Sequence, residues 1–500
     1  MRAALFFLAA GAFGIGVVAA CSSSSSDNGG APDGGGDATP PPPPPEPTDG
    51  GDGGASSGML PSGGSRIVAR YEEGSDGSKF FSDLFDKKLN VTCNVVNAED
   101  GTLRCIPLGN TFVSDRFSDD KCTTPIARRG DLCDAAPYAT GATTSCGLTN
   151  FTTVYELGTT PITTTFYVDS GSGMCMPAAA PNPDEQYLAL TRKLAPSELV
   201  GFTPHDETLT SALSTHVLVG DDGSRTLLSG TQLVDVARMG VCGSQLAADG
   251  MPRCLPPTDW FEAGFADMGC SMPVAFGHAC TLDAGAPQFA ADPGTSTECD
   301  AFTARKIHTI GALRPTRDWY HGTPGSCSGP AMLPDDLVDL GAEIPPTMFP
   351  AIAYEPIGGS RLVADTFHVG GVLLDRGPVR DQTTMGVCIF QTTNDGVTRC
   401  LPNQPATGYF YSDMMCMTPV ANGDEMCAPA KYAAVSDGTC TPKYRVYALG
   451  TRADAASATL YYKNGTDCMQ FFGSPGGTYV WPLGAEVPAT TFVDVKLVEH

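Results

Sequence analysis

The chain has little positive charge, little histidine and almost no tryptophan: 30 lysines and arginines against 55 acidic residues, seven histidines and three tryptophans in 500 residues. A net charge of −25 excludes the basic face that nucleic acid or an anionic membrane surface requires, and suits a protein that stays soluble by being acidic. No Walker A loop, dinucleotide fingerprint or His-Glu-x-x-His occurs, so the commonest phosphate, cofactor and zinc-protease chemistries lack their signatures. Cys-x-x-Cys is also missing, which removes zinc ribbons, thioredoxin-like redox motifs and haem attachment. No metal and no cofactor are therefore expected.

What is abundant is punctuation and cysteine. Gly 58 and Pro 41 make about a fifth of the chain, favouring many short elements joined by turns over long helices. There are 19 cysteines. Without Cys21, the other eighteen form three sets of six, with successive spacings of 12, 17, 11, 13, 29, then 12, 16, 10, 19, 28, then 12, 16, 11, 13, 28. The sets are Cys93, Cys105, Cys122, Cys133, Cys146, Cys175; Cys242, Cys254, Cys270, Cys280, Cys299, Cys327; and Cys388, Cys400, Cys416, Cys427, Cys440, Cys468. Three copies of one unit follow, at 64–202, 203–350 and 351–500.

Further echoes support the repeat. Gly-Ser-Arg, ending at Arg66, Arg225 and Arg361, is read as the opening of each copy, with ten residues lost from the second before its first cysteine. The first cysteine pair ends in Asp-Gly-x-x-Arg-Cys-(Ile/Leu)-Pro, with Arg104, Arg253 and Arg399. Asp119, Asp267 and Asp413 each precede a third cysteine by three residues, and Val154–Gly158, Ile307–Gly311 and Val446–Gly450 echo one another. Leu340–Pro345 matches Leu483–Pro488, with Leu194–Glu198 as the weaker counterpart in the first copy. Segments such as Tyr444–Leu449 and Thr491–Val498 are short, β-branched or aromatic, and bounded by turn formers. The expected fold is all-β; only 184–194 and 334–340 suggest helix. With no low-complexity linker between copies, a β-propeller-like array with pseudo-threefold organisation is favoured over three separate disulfide-stapled β-domains.

An even six cysteines per copy in an exported chain imply three disulfides per copy. The first and second should bridge across a hairpin closed by Gly101, Gly250 or Gly396, a position that takes positive φ. Third with fourth and fifth with sixth are expected next. Arg104, Arg253 and Arg399 are expected to pair with a carboxylate of their own copy, the aspartate before the third cysteine being the candidate; a ligand-binding ring of three arginines is the sharper alternative. His278, His308 and His321 cluster in the divergent second copy with Trp260 and Trp319, and are the weak catalytic candidates of an exported hydrolase.

The N-terminal residues read as an export signal: Arg2, then the apolar stretch Ala3 to Ala20. Val18-Ala19-Ala20-Cys21 resembles the lipobox of bacterial lipoproteins, which implies acylation of Cys21 after cleavage. Ser22, where an acidic residue would signal retention, implies an outer-membrane address, periplasmic or surface-exposed. Residues 21–63 are Ser/Gly/Pro-rich, with prolines from Pro40 to Pro45, and read as a tether with a semi-rigid spacer. A Gly-x-Ser-x-Gly match at Gly54 to Gly58 falls in this tether without a strand or helix beside it and is discounted. The whole pattern resembles cysteine-rich surface lipoproteins of myxobacterial type, a resemblance that implies location and no particular activity. The function expected is a lipid-anchored binding or structural module, a monomer, with polysaccharide or envelope protein as partner.

Overall fold

The computed structural model describes residues 61–500 apart from short stretches, the longest being 278–288, 295–302, 424–430 and 473–478. The export signal, Cys21, most of the tether and the Gly54 to Gly58 match lie outside the described residues. The described chain is all-β, with short 3-10 turns and no α-helix among the described residues.

Each copy begins as an antiparallel meander. In the first it comprises Ile67–Gly74, Lys79–Asp86, Val91–Asn97 and Leu103–Pro107. In the second it is Leu213–Gly220, Leu233–Asp235, Gly240–Ala247 and Pro252–Leu255, and in the third Leu362–Val369, Arg380–Asp381, Gly386–Thr392 and Thr398–Pro402. Alternation of buried and less buried residues, clearest along Leu213–Gly220 and Leu362–Val369, gives each strand one core face.

The copies interlock because each meander is completed by a strand at the junction with the copy before it. Gly201–Thr208 lies beside Leu213–Gly220, Ala353–Gly358 beside Leu362–Val369, and the C-terminal Val495–Glu499 beside Ile67–Gly74. At the other edge, three equivalent amides carry the ladder onward: Cys105 N donates to Val200 O (3.1 Å), Cys254 N to Pro350 O (2.9 Å) and Cys400 N to Val493 O (3.2 Å). The pairing thus runs from copy one to two to three and back to one, which leaves no copy with an open sheet edge at these seams. Three apolar clusters fill the space, and each mixes two copies: Leu218 with Ile67, Phe80 with Leu362, and Phe367 with Leu213.

Register corrects the reading of Gly-Ser-Arg. Ile67 pairs with Asp86, Leu213 with Asp235 and Leu362 with Asp381, so the residue equivalent to Arg66 and Arg361 is Ala212, not Arg225. The second copy has lost nothing before its first cysteine. Its Asp222-Gly223-Ser224 is the counterpart of Asp76-Gly77-Ser78, the turn between the first two strands. Both turns do one job. Asp222 Oδ2 accepts from the amides of Arg66 (3.0 Å) and Ile67 (2.6 Å), and Asp76 Oδ2 from those of Arg361 (2.9 Å) and Leu362 (2.6 Å). A turn of copy two therefore holds the start of copy one, and a turn of copy one the start of copy three. At the third seam the turn is Gly370-Gly371; Gly370 sits at φ +56° with Leu209 O only 2.6 Å from where a Cβ would be, so close backbone approach takes the place of the aspartate. Ser62 pairs with Arg225 and Tyr71 Oη donates to Pro61 O (2.5 Å), so packing begins slightly ahead of Gly64.

After its meander each copy builds a second sheet of its own. In copy one the order is Thr111–Phe117, Pro125–Arg129, Gln186–Lys193, Leu148–Pro161, Tyr138–Ser145, and a parallel contact between Phe112 and Thr140 closes it into a small barrel. Copy two repeats the order and closes with Trp260↔Ala290 and Phe261↔Ala291. In copy three Thr407 Oγ1 donates to Ala434 O (2.6 Å) at the same place. The segments 184–194 and 334–340 that suggest helix supply the barrel strands Gln186–Lys193 and Asp336–Glu343: sheet pairing on both sides overrides local preference. Leu157, Ile310 and Leu449 face Leu190, Leu340 and Leu483, so the Leu340–Glu343 counterpart in copy one is Leu190–Lys193 rather than Leu194–Glu198.

Disulfides follow the expectation only for the first pair. Cys93–Cys105, Cys242–Cys254 and Cys388–Cys400 form, diagonally across hairpins whose Gly101, Gly250 and Gly396 sit at φ +75°, +73° and +84°. The third cysteine bonds the sixth, as Cys122–Cys175, Cys270–Cys327 and Cys416–Cys468, not the fourth. The cause is the barrel. An outer hairpin, Tyr167–Asp169 with Cys175–Pro177 in copy one, folds back beside Thr111–Phe117 and brings cysteines 53 residues apart in sequence together. Cys133 bonds Cys440, so the fourth cysteine of copy one meets the fifth of copy three, 307 residues away, and a staple crosses between copies where three within each copy were expected. Cys146, Cys280, Cys299 and Cys427 lie outside the described residues.

Candidate functional site

The recurrent arginines are consumed by the fold. Arg104 forms a fork with Asp100, four residues earlier in the same hairpin turn (Nη2–Oδ2 2.8 Å), and its Nη1 donates to Leu199 O (3.0 Å). Arg253 does the same with Asp249 (2.8 Å) and Phe349 O (2.9 Å). Arg399 binds Asp395 (2.8 Å) and, instead of a carbonyl, the Asp494 carboxylate (2.7 Å). Each arginine ties its hairpin to the segment that leads into the next copy. The carboxylate belongs to its own copy as expected, but it is the turn aspartate, not Asp119, Asp267 or Asp413. Paired and largely buried, the three do not form a ligand-binding ring.

A second set of ion pairs pins the meanders. Arg66 grips Asp86 (2.8 and 2.6 Å) and Arg361 grips Asp381 (2.7 and 2.6 Å), both carboxylates being buried. In copy two, where Ala212 replaces the arginine, Asp235 takes Arg238 from its own turn (2.5 Å).

These contacts set a pH dependence. Hydrogen bonds from Arg104 and Arg253 hold Asp100 and Asp249 below the usual carboxylate range. Burial opposes ionisation of Asp76 and Asp222, but the serine, Leu362, Ile67 and arginine amide donors outweigh it and hold both lower too. A folded-state pKa below the unfolded one means stabilisation that is complete above about pH 4 and is lost as pH falls through the folded values. The urea midpoint should therefore stay level from about pH 7 to 5 and drop below about pH 4, with the seam turns protonating; Asp76→Asn should blunt the drop.

The histidine candidates of copy two do not converge. His308, on Ile307–Leu313, has Nδ1 3.3 Å from Gly341 O and a buried Nε2 without a partner among the described residues. His321 is exposed on a different hairpin, its ring 5.4 Å from that of Trp319. His278 lies outside the described residues. Trp260 is fully buried in the barrel core, and among the described residues no three His, Cys, Asp or Glu side chains gather as a metal site would need. Two cavities, about 260 Å³ on copy three beside Tyr444 and Glu486 and about 290 Å³ at the seam of copies one and three beside Asp76 and Arg361, fall just under the usual size of a small-molecule pocket.

What each copy exposes is the tip of its barrel, at the third–sixth disulfide. Asp119 coils its loop around itself, its carboxylate accepting from the amides of Lys121 (3.0 Å), Thr123 (3.1 Å) and Thr124 (2.5 Å), and hydrogen bonding holds it well below the usual carboxylate range. Asp267 and Asp413 do likewise with Gly269, Ser271 and Met272, and with Met415, Met417 and Thr418. The cysteine in each loop is held at φ +54°, +50° or +51°. With amides and cysteine turned inward, the other side chains of the loop stand outward.

In copies two and three several of those side chains are methionines, and in copy one methionines flank the sixth cysteine instead. Met174 and Met176 flank Cys175; Met268 and Met272 flank Cys270; Met414, Met415 and Met417 surround Cys416, and Met469 follows Cys468. Eight of the chain's sixteen methionines thus lie within two residues of these six cysteines, and all eight are exposed. Nearby Phe472 is exposed as well. Spacing of cysteines drew attention in the sequence; the neighbours of the cysteines carried this second signal, and counting methionines beside them would have found it.

A model of a family of unknown function (DUF7481) matches residues 219–489, from the seam turn of copy two through the barrel of copy three. No curated protein matches the chain, and no solved structure matches it.

Proposed function

With that match over more than half its length, the chain belongs to the DUF7481 family, and on that footing we propose that it is a lipid-anchored envelope module that binds through its barrel tips. The observation that carries the reading is the set of eight exposed methionines. Flexible, polarizable thioethers suit a surface that meets a partner, whereas the ring's arginines and aspartates are spent on its own seams. The ring is propeller-like in one respect: the last strand of the chain completes the sheet of the first copy. Cys21 as an acylated end, the Pro40 to Pro45 spacer and the disulfides together support an exported protein held off the outer membrane. An envelope protein fits the apolar tips better than a polysaccharide.

The test compares the mature protein with a variant carrying serine at all eight tip methionines, each incubated with envelope protein and glycan fractions. Binding should fall at least about tenfold in the variant while thermal unfolding is unchanged, since the loops are built from backbone and aspartate. Equal binding by both proteins would remove the tips from the account, and a Cys21→Ala form that still fractionates with membranes would remove the anchor.

A further inference from the structure

We infer that the tip of the third copy is a binding site for a soft monovalent cation, Cu(I), formed by the thioethers of Met414, Met415, Met417 and Met469. The inference rests on the reading of the tips as the binding surface and names the ligand class of one of them.

The three copies provide the comparison. The loop after Asp119 contains Asp120, Lys121 and Thr123 at the positions that are Met268, Gly269 and Ser271 in copy two and Met414, Met415 and Met417 in copy three. All three loops make the same hydrogen bonds to their aspartate and the same disulfide to the sixth cysteine. Methionine is therefore not needed to build the loop. Nor does it fill a core: Met414, Met415 and Met417 are 69%, 71% and 78% exposed. Large apolar side chains held in water at a rigid turn need a reason outside the fold.

The disulfide brings the four methionine positions together along the backbone. Met415 and Met417 flank Cys416, Met469 follows Cys468, and the two cysteine Cα atoms are 5.7 Å apart across their disulfide. Cys416 is buried at φ +51° and Asp413 draws in the amides of Met415, Met417 and Thr418, so the loop is pre-shaped and its methionine side chains face out. Tyr462 Oη lies 3.8 Å from Met469 Sδ. Neutral thioethers without histidine or thiolate favour Cu(I) over Zn²⁺ or Cu²⁺, which prefer nitrogen, oxygen or thiolate. The carboxylates of Asp413 and Asp467 and the acidity of the whole chain offset the cation's charge.

The experiment is an anaerobic titration of the purified mature protein with Cu(I) in competition with the chromophoric chelator bicinchoninate. One Cu(I) should be withdrawn from the chelator, with a sulfur-only shell by X-ray absorption, and Met414→Leu/Met415→Leu/Met417→Leu should weaken binding at least about tenfold. Leucine keeps the exposed apolar surface and removes only sulfur, and the loop of copy one shows that the fold does not need methionine there. Failure to compete for Cu(I), or equal affinity in the leucine variant, overturns the inference. If the leucine variant also keeps its envelope binding while the eight-serine variant loses it, the tips remain a docking surface without copper. If neither variant changes anything, both readings fall.

Discussion

Arg361→Ala is expected to lower the free energy of unfolding by about 3–5 kcal/mol, because it strands a buried charge. Asp381 has a side chain only 1% exposed and spends both oxygens on Arg361, which also donates to Thr491 O (2.7 Å) at the copy-three seam. Removing the arginine leaves Asp381 with little more than the Thr383 amide (2.9 Å). The paired replacement Arg361→Met/Asp381→Leu should cost far less, since no charge is then left in the interior. Urea denaturation with disulfides intact reads both. A single variant no worse than the double would mean that the pair contributes packing and nothing electrostatic.

The second large effect is expected from Cys133→Ser/Cys440→Ser. This staple closes 307 residues and ties copy one to copy three, where Val495–Glu499 pairs with Ile67–Gly74 and Asp76 holds the amides of Arg361 and Leu362. Long loops lose the most unfolded-state freedom on closure, so its removal should cost about 5 kcal/mol. Removing Cys93 and Cys105 together, which close a loop of 12 residues, should cost about 3 kcal/mol less than that. Thermal unfolding of the two double variants should rank them in that order. Equal losses would place the stabilisation in local packing rather than in closure of the ring.

Much of the fold was legible in the sequence where the information is local. A 12-residue cysteine spacing around Asp-Gly sets a hairpin, and Gly101, Gly250 and Gly396 take the positive φ it demands. Strand composition and turn formers fixed the all-β class. Information that depends on closure was not legible. The third and sixth cysteines meet because a barrel folds an outer hairpin over its first strand, and Cys133 meets Cys440 because the ring returns to its start. Neither distance is written in either cysteine's neighbourhood.

The Gly-Ser-Arg error has a similar origin. Asp-Gly-Ser turns and Gly-Ser strand starts share two residues, and three matching letters outweighed a better marker: Asp86, Asp235 and Asp381 each stand seven residues before a first cysteine. That spacing fixes the register that Ala212 obscures. The tip methionines were missed because exposed apolar residues carry no periodicity; they show only once the loop of copy one demonstrates that the same turn forms without them.

The most direct test of the closed ring, and of the export proposed for it, is non-reducing peptide mapping of protein extracted from membranes and alkylated beforehand. The account predicts a peptide pair joining Cys133 to Cys440, pairs joining Cys122 to Cys175 and Cys416 to Cys468, and no alkylated thiol. Cys133 joined to a cysteine of its own copy, or alkylation at several of these positions, would contradict it.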